Sequence, residues 1–319
     1  MTRTAQARPV AGIAAPAASL LRTAVLWGCW LVSLALGLLP AAAGAQSGLP
    51  FLRLGAGARS AGLAEAGVAL PDVDAAASNP AALQARDRRV LSLAHTAWIQ
   101  DIRHDHLGVL FSGPRQAWAI TGQLAQAEDL ERRTGPTAQP LGTFGVYEGV
   151  LALSHARLLA PRLRAGATVK LLRQSIATQA ASGVAADLGL LFLAGDGMQL
   201  GASARNLGRM ADLGQQASPL PRSLRLGAAY AGLGRLLLAG EVERTRGSST
   251  ALHVGAEAAL HELLVLRGGY QTAGERGLSA GVGVSLRRWT VDYAFVPFDA
   301  GLGEAHQLGV QLHPAAASP

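Results

Sequence analysis

Three short stretches hold residues whose types and spacing could do chemistry. "GLSAG" (277–281) has the spacing of a nucleophile elbow, in which a serine on a sharp strand-to-helix turn attacks an acyl carbonyl. Here it lies within the alternating run "LSAGVGVSL" (278–286), where no such elbow can form. "HDH" (104–106) puts His104 and His106 on one face of a strand, a spacing that two imidazoles could use on a metal given a third ligand. No third ligand is evident, and a solvated strand entry is the expectation. "GAGARSAG" (55–62) is glycine-rich, but it lacks the preceding strand and the G-x-G-x-x-G spacing of a dinucleotide loop. Close backbone packing explains those glycines. No catalytic, cofactor-binding or metal-ligating residue is expected, and the chain reads as a non-enzyme without a cofactor.

The elements that carry these residues begin after an export signal. Arg3, Arg8 and Arg22 precede the apolar run "TAVLWGCWLVSLALGLL" (23–39), and "AAAGA" ends at Ala45 with no acid before it. A basic region, an apolar region and a small-residue cleavage site make residues 1–45 a signal peptide. Its removal takes away Cys29, the single cysteine, so neither disulfide nor thiol chemistry is available to the mature chain. It also removes three of 28 basic residues against 21 acids, which leaves a net charge of +4. The remaining arginines are scattered, and no concentrated basic patch marks a nucleic-acid partner.

Beyond residue 88 a period of two recurs. In "WTVDYAF" (289–295) one face reads Trp289, Val291, Tyr293, Phe295 and the other Thr290, Asp292, Ala294. The same division runs through "RLRAGATVKL" (162–171), "VAADLGLLF" (184–192), "SLRLGAAY" (223–230) and "HQLGVQL" (306–312). Such runs are half-buried strands. Fourteen fit between 89 and 312, including 115–125, 144–156, 162–173, 184–193 and 198–206. Alternate connections are tight ("AGDG", "GLG", "HE"), and the intervening ones are longer, notably 126–143 and 207–221. An even strand number with short turns on one side and longer loops on the other predicts an all-β, transmembrane antiparallel barrel over 88–313, followed by a tail at 314–319.

One strand face is Leu, Val, Ala and aromatic. The other carries Arg164, Lys170, Asp187, Arg205, Arg225, Glu241, Glu243, His253, Glu257, Arg267 and Asp292. A charge facing lipid at mid-depth costs about 2–4 kcal/mol, so these are expected to face the lumen. The near balance of signs suits internal ion pairs better than an ion-selective pore. Upstream, Asn79-Pro80-Ala81 reads as a helix start, because Asn caps orphan N–H groups and Pro at the first position sacrifices no bond.

"FLRLGAGARSAGLAEAGVALPDVDAAASNPAALQ" (51–84) resembles the opening of the PorV/PorQ family of outer-membrane proteins, within the FadL-like barrels. "GTFGVYEGVLALSHA" (142–156), "NLGRMADLGQQASPLPRSLRLGAAY" (206–230) and "VDYAFVPFDAGLGEAHQLGVQL" (291–312) agree with it. The resemblance implies that residues 46–87 fold into the lumen as a hatch, with Asn79, Pro80 and Ala81 inside the plug. It also implies an outer-membrane location, lipid as surroundings, and a role in the export or surface attachment of secreted proteins, with secretion-system components as partners. The alternative is a FadL-type channel for hydrophobic small molecules, whose hatch moves and whose ligand leaves sideways into the membrane. That channel requires an apolar pocket under the outer loops, whereas protein handling requires large or sticky loops. A third class, an outer-membrane hydrolase, would use a lumen or rim Ser and His.

Overall fold

The computed structural model describes residues 48–84, 89–136, 138–272, 274 and 276–314. The expected signal peptide at 1–45 and the end of the 314–319 tail lie outside the described residues.

Fourteen strands follow one another: β1 (Arg89–Ala97), β2 (Arg103–Ser112), β3 (Gln116–Arg132), β4 (Gly142–Ala160), β5 (Leu163–Ile176), β6 (Gln179–Gly195) and β7 (Met198–Met210). Then come β8 (Ser223–Leu233), β9 (Leu236–Thr245), β10 (Thr250–His261), β11 (Leu264–Gln271), β12 (Leu278–Leu286), β13 (Trp289–Pro297) and β14 (Glu304–Leu312). Each pairs antiparallel with its neighbours, and β1 closes on β14 from Leu91↔Leu312 to Ala97↔His306. Closure satisfies every ladder and leaves no edge, the condition under which strands cross a bilayer.

The period of two sets the two faces. Leu93, Leu107, Ile120, Leu151, Leu171, Leu188, Leu226 and Leu252 all point outward and are exposed. A girdle of exposed leucine suits hydrocarbon, not water. Near the tight-turn end, Trp118 stacks on His155 with ring centroids 4.0 Å apart, beside outward Phe111, Phe192 and Trp289. The tight connections are 113–115, 161–162, 196–197, 234–235, 262–263 and 287–288; those at the other end, 98–102, 133–141 and 211–222 among them, are mostly longer. The longer end is the extracellular one in barrels of this type.

The strands differ from the expected spans at the outer rim. β3 runs on to Arg132 and β4 starts at Gly142, so half of the expected loop 126–143 is strand. β5 and β6 likewise extend to a two-residue turn, with Ile176 opposite Gln179, against the expected alternation of loop length. A register shift between Ala127 and Leu130, with Asp129 at φ 55, breaks the period there. Above the membrane both faces are wet, and the apolar-polar alternation that marks a strand disappears while backbone pairing continues.

Residues 48–84 lie inside the barrel. They form a 3-10 turn at Pro50–Arg53, one α-helical turn, α1, at Ala58–Gly62, and 3-10 turns at Ala75–Ala77 and Pro80–Ala82. Leu49, Leu63, Val68 and Leu83 are fully buried. The wall accommodates this backbone with inward-facing glycines. A Cβ at Gly166 would collide with the Pro80 carbonyl group and the Ala81 nitrogen, and one at Gly189 with Asn79 Oδ1.

Candidate functional site

Within the lumen most of the charged side chains pair. On β5 and β6, Lys170 Nζ lies 2.6 Å from Asp187 Oδ2 and donates to Asn206 Oδ1 at 2.8 Å. Arg225 of β8 meets Glu241 at 3.2 Å and Glu243 at 2.9 Å, both on β9. Arg267 bridges Glu257 at 2.7 Å and Asp292 at 2.6 Å. Buried charges persist only when compensated, and each of these has an opposite charge within 3.2 Å.

Several of these groups also hold the lumenal segment. The Val68 N–H donates to Glu241 Oε2 at 2.7 Å, His253 Nδ1 to the Ala64 carbonyl at 2.7 Å, and Arg205 Nη2 to the Leu52 carbonyl at 2.8 Å. Arg164 Nη1 donates to Gln84 Oε1 at 2.7 Å. In return Arg59 of α1 donates to Glu257 at 2.8 Å and to Asp72 at 2.6 Å. Burial opposes the Arg59 charge, but the two carboxylates outweigh it and hold the guanidinium above its ordinary pKa.

Asn79, Pro80 and Ala81 start a 3-10 turn, not an α-helix. Asn79 Oδ1 accepts from the Ala81 N–H at 3.0 Å, which is the capping bond, while its Nδ2 donates to the Val68 carbonyl at 2.7 Å and to the Leu190 carbonyl of β6 at 3.0 Å. The residue therefore caps a turn, ties two parts of the segment together and bonds to the wall.

His104 and His106 are not at a solvated strand entry; both point inward and are buried, because β2 continues to Arg103 and turns its even positions to the lumen. His106 Nε2 donates to Asp74 Oδ1 at 3.2 Å, and Ser92 Oγ donates to the same oxygen at 2.6 Å. A hydrolytic triad needs the serine to donate to the histidine and the histidine to be backed by the carboxylate. Here the carboxylate takes both protons, so the group works as an anchor. Burial raises Asp74, but the bonds from His106 and Ser92 prevail and hold its carboxyl below the ordinary value. Ser279 of "GLSAG" lies on β12 and donates to the Gly62 carbonyl at 3.2 Å. Among the described residues no group of three His, Cys, Asp or Glu could hold a metal.

Sequence reasoning missed an apolar cavity of about 240 Å³ at the outer end, where Phe51 and Leu54 of the lumenal segment face Trp98, Ile102, Ala125 and Val146. Trp98 is fixed there by an edge-to-face contact with Phe298 at 5.1 Å and by the Arg276 guanidinium 5.4 Å above its ring. Two buried polar side chains also line it. His104 packs edge-on to Phe51 at 5.9 Å and meets Gln123 at 3.3 Å, and Glu148 Oε1 accepts from Gln174 Nε2 at 2.8 Å. Glu148 is in phase with inward Val150, Ala152 and Ser154, a signal that could have placed it in the lumen. By contrast, the gaps left deeper between segment and wall measure only about 40 and 10 Å³.

A closed fourteen-stranded barrel with a segment folded into its lumen and an apolar cavity at its outer end is an outer-membrane type of barrel, and its fold is that of the FadL-like channels. The chain is similar to the CymD monoaromatic hydrocarbon channel, at TM-score 0.65 and 14% identity over 81% of this chain and 96% of that one. It is similar to the Pseudomonas putida toluene transporter TodX, at TM-score 0.62 and 14% identity over 85% and 98%. A Pseudomonas aeruginosa FadL homologue aligns at TM-score 0.59 and 12% identity over 84% and 100%. No protein-family model matches the chain, and no curated protein does. The resemblance to PorV/PorQ thus holds at the level of the FadL-like fold.

Proposed function

We propose that this protein is an outer-membrane channel for small hydrophobic molecules, with the outer cavity as its entry site and residues 46–87 as a hatch. The observation that carries this reading is the 240 Å³ cavity, apolar on most sides and walled on one side by the segment that would have to move. Ligand sites are concave and mostly apolar, with a few placed polar groups. The structural neighbours named as hydrocarbon or toluene channels support it through their fold. The export or surface-attachment role that the family resemblance implies would need a docking platform. The outer connections 98–102, 133–141 and 211–222 are too short to build one, so we place the channel first.

Several lumen charges serve, in this reading, to hold the hatch shut, because Glu241 accepts from its backbone, Arg205 donates to its backbone and Glu257 pairs with its Arg59. The test is uptake of a radiolabelled monoaromatic hydrocarbon by vesicles holding the full mature chain, beside a form lacking residues 46–87. Uptake above that of empty vesicles supports the channel, and faster leakage of small ions through the shortened form supports the hatch. Uptake no greater than that of empty vesicles sinks the proposal.

A further inference from the structure

We propose that the outer cavity selects small ring-bearing molecules that carry one hydrogen-bond donor, such as a phenolic hydroxyl, and rejects carboxylates, with Glu148 as the specificity-determining residue. The inference rests on the channel reading.

Size sets the first limit. An apolar cavity of about 150 Å³ takes up benzene, so about 240 Å³ suits one ring with one or two small substituents. Phe51 and Trp98, both in the lining, supply aromatic contact for such a ring.

Polarity sets the second. Glu148 is 7% exposed, and its position on β4 lies opposite Gln174 on β5. Gln174 Oε1 accepts from Ser218 Oγ at 3.2 Å, which orients the amide so that its Nε2 faces Glu148 Oε1. Glu148 Oε1 holds that bond, and the Glu148 carboxylate also lines the cavity, where it can accept from a ligand. A ligand hydroxyl within the cavity can supply that donor. Of the other polar side chains in the lining, His104 is engaged with Gln123 and Gln126 is an uncharged amide. No lysine or arginine lines the cavity, Arg276 is engaged over the Trp98 ring, and a ligand carboxylate brought against Glu148 meets a like charge. The selection follows from the hydrogen bond that a ligand donor makes to this carboxylate and that a ligand without a donor cannot make, a stronger discriminator than shape alone.

Binding of p-cresol, p-xylene and p-toluate to the purified full mature chain in detergent, read by calorimetry and by Trp98 fluorescence at pH 7, tests this. The three share one ring and differ in the group presented to Glu148. In the native protein p-cresol should bind about tenfold more tightly than p-xylene, the usual scale of a hydrogen bond to a charged group, and p-toluate should bind least. Glu148→Leu should erase the p-cresol advantage and leave p-xylene binding unchanged or improved. Glu148→Gln, which keeps the side chain's shape, should admit p-toluate. If p-xylene binds and the p-cresol ratio is unchanged in Glu148→Leu, the donor selection is wrong while the channel reading stands. If p-toluate binds the native protein best, the selection is also wrong. If none of the three binds, both fall.

Discussion

The side-chain amide of Asn79 donates to the main-chain carbonyl of Leu190 at 3.0 Å, joining the lumenal segment to the backbone of β6 across 111 positions of sequence. The approach is possible because the inward neighbour of Leu190 is Gly189, where any Cβ would strike the Asn79 carboxamide. A capping residue has thus become a bond between plug and wall. Asn79→Ala removes the cap, worth about 1 kcal/mol, and two further hydrogen bonds of about 1 kcal/mol each. The barrel ladders are untouched, so heat-modifiable migration on gels should be unchanged. Single-channel recordings should show more frequent openings than in the native protein. Asn79→Asp keeps the cap acceptor but turns an unpaired carboxylate oxygen toward the Val68 and Leu190 carbonyls, so it should open at least as often as Asn79→Ala.

Gly166 and Gly189 test the same contact from the wall side. Gly166→Val places a branched side chain against the Pro80 and Ala81 backbone, which cannot yield without shifting the segment. The expected result is a normally assembled barrel with raised conductance and faster proteolysis within residues 72–84. Gly122→Val, in a strand position where a Cβ meets nothing within 4 Å, should leave conductance at the native level. Equal behaviour of the two variants would refute the contact.

Lys170 and Leu171 are adjacent and face opposite media: one is ion-paired to Asp187 in the lumen, the other is 57% exposed on the outer face. Leu171→Arg should reduce assembly into liposomes by about 2–4 kcal/mol, the cost of a cation at mid-bilayer. Lys170→Met strands Asp187 as an unpaired buried charge and should cost about 3–5 kcal/mol, whereas Lys170→Met with Asp187→Leu should recover most of it. Urea titrations of folding into vesicles measure all three. A double variant as unstable as the single one would mean that the pair is not the reason for the loss.

How much of this was legible depended on where alternation survives. Leu171 and Lys170 announce their faces because one side of β5 meets lipid and the other a packed lumen. The segment from Ala127 to Thr143 announces nothing, since both faces are wet and the bulge at Asp129 shifts the phase, so paired strand looked like loop. Gly166 and Gly189 read as weak strand residues; their purpose depends on a backbone that arrives from 86 and 110 positions upstream, at Pro80 and Asn79 respectively. His104 and Glu148 were hidden for the same reason. Each sits in phase with inward neighbours, but only Phe51 and Leu54, brought in by the lumenal segment, turn that stretch of wall into a cavity.

The anchor at Asp74 gives the plug an acid limit. Ser92 and His106 both donate to Asp74 Oδ1, at 2.6 and 3.2 Å, and they hold its carboxyl below the ordinary value near 3.8 in spite of burial. A carboxyl whose folded pKa is depressed stabilises the folded contact in full above its unfolded pKa. That contribution is lost as pH falls through the lower, folded pKa. Between pH 7 and 5 the Asp74 carboxylate should therefore stay ionised, and only below about pH 4 should its protonation loosen the segment 72–78 from β1 and β2. Asp74→Asn cannot accept from two donors as a carboxylate does, and it should show the loosened state at neutral pH with little further change on acidification. The measurement is open-channel frequency in planar bilayers from pH 7 to pH 3 for the native and Asp74→Asn proteins. If Asp74→Asn stays as quiet as the native protein at pH 7 and both open together below pH 4, the acid limit belongs to other lumen carboxylates, and Asp74 is not the anchor.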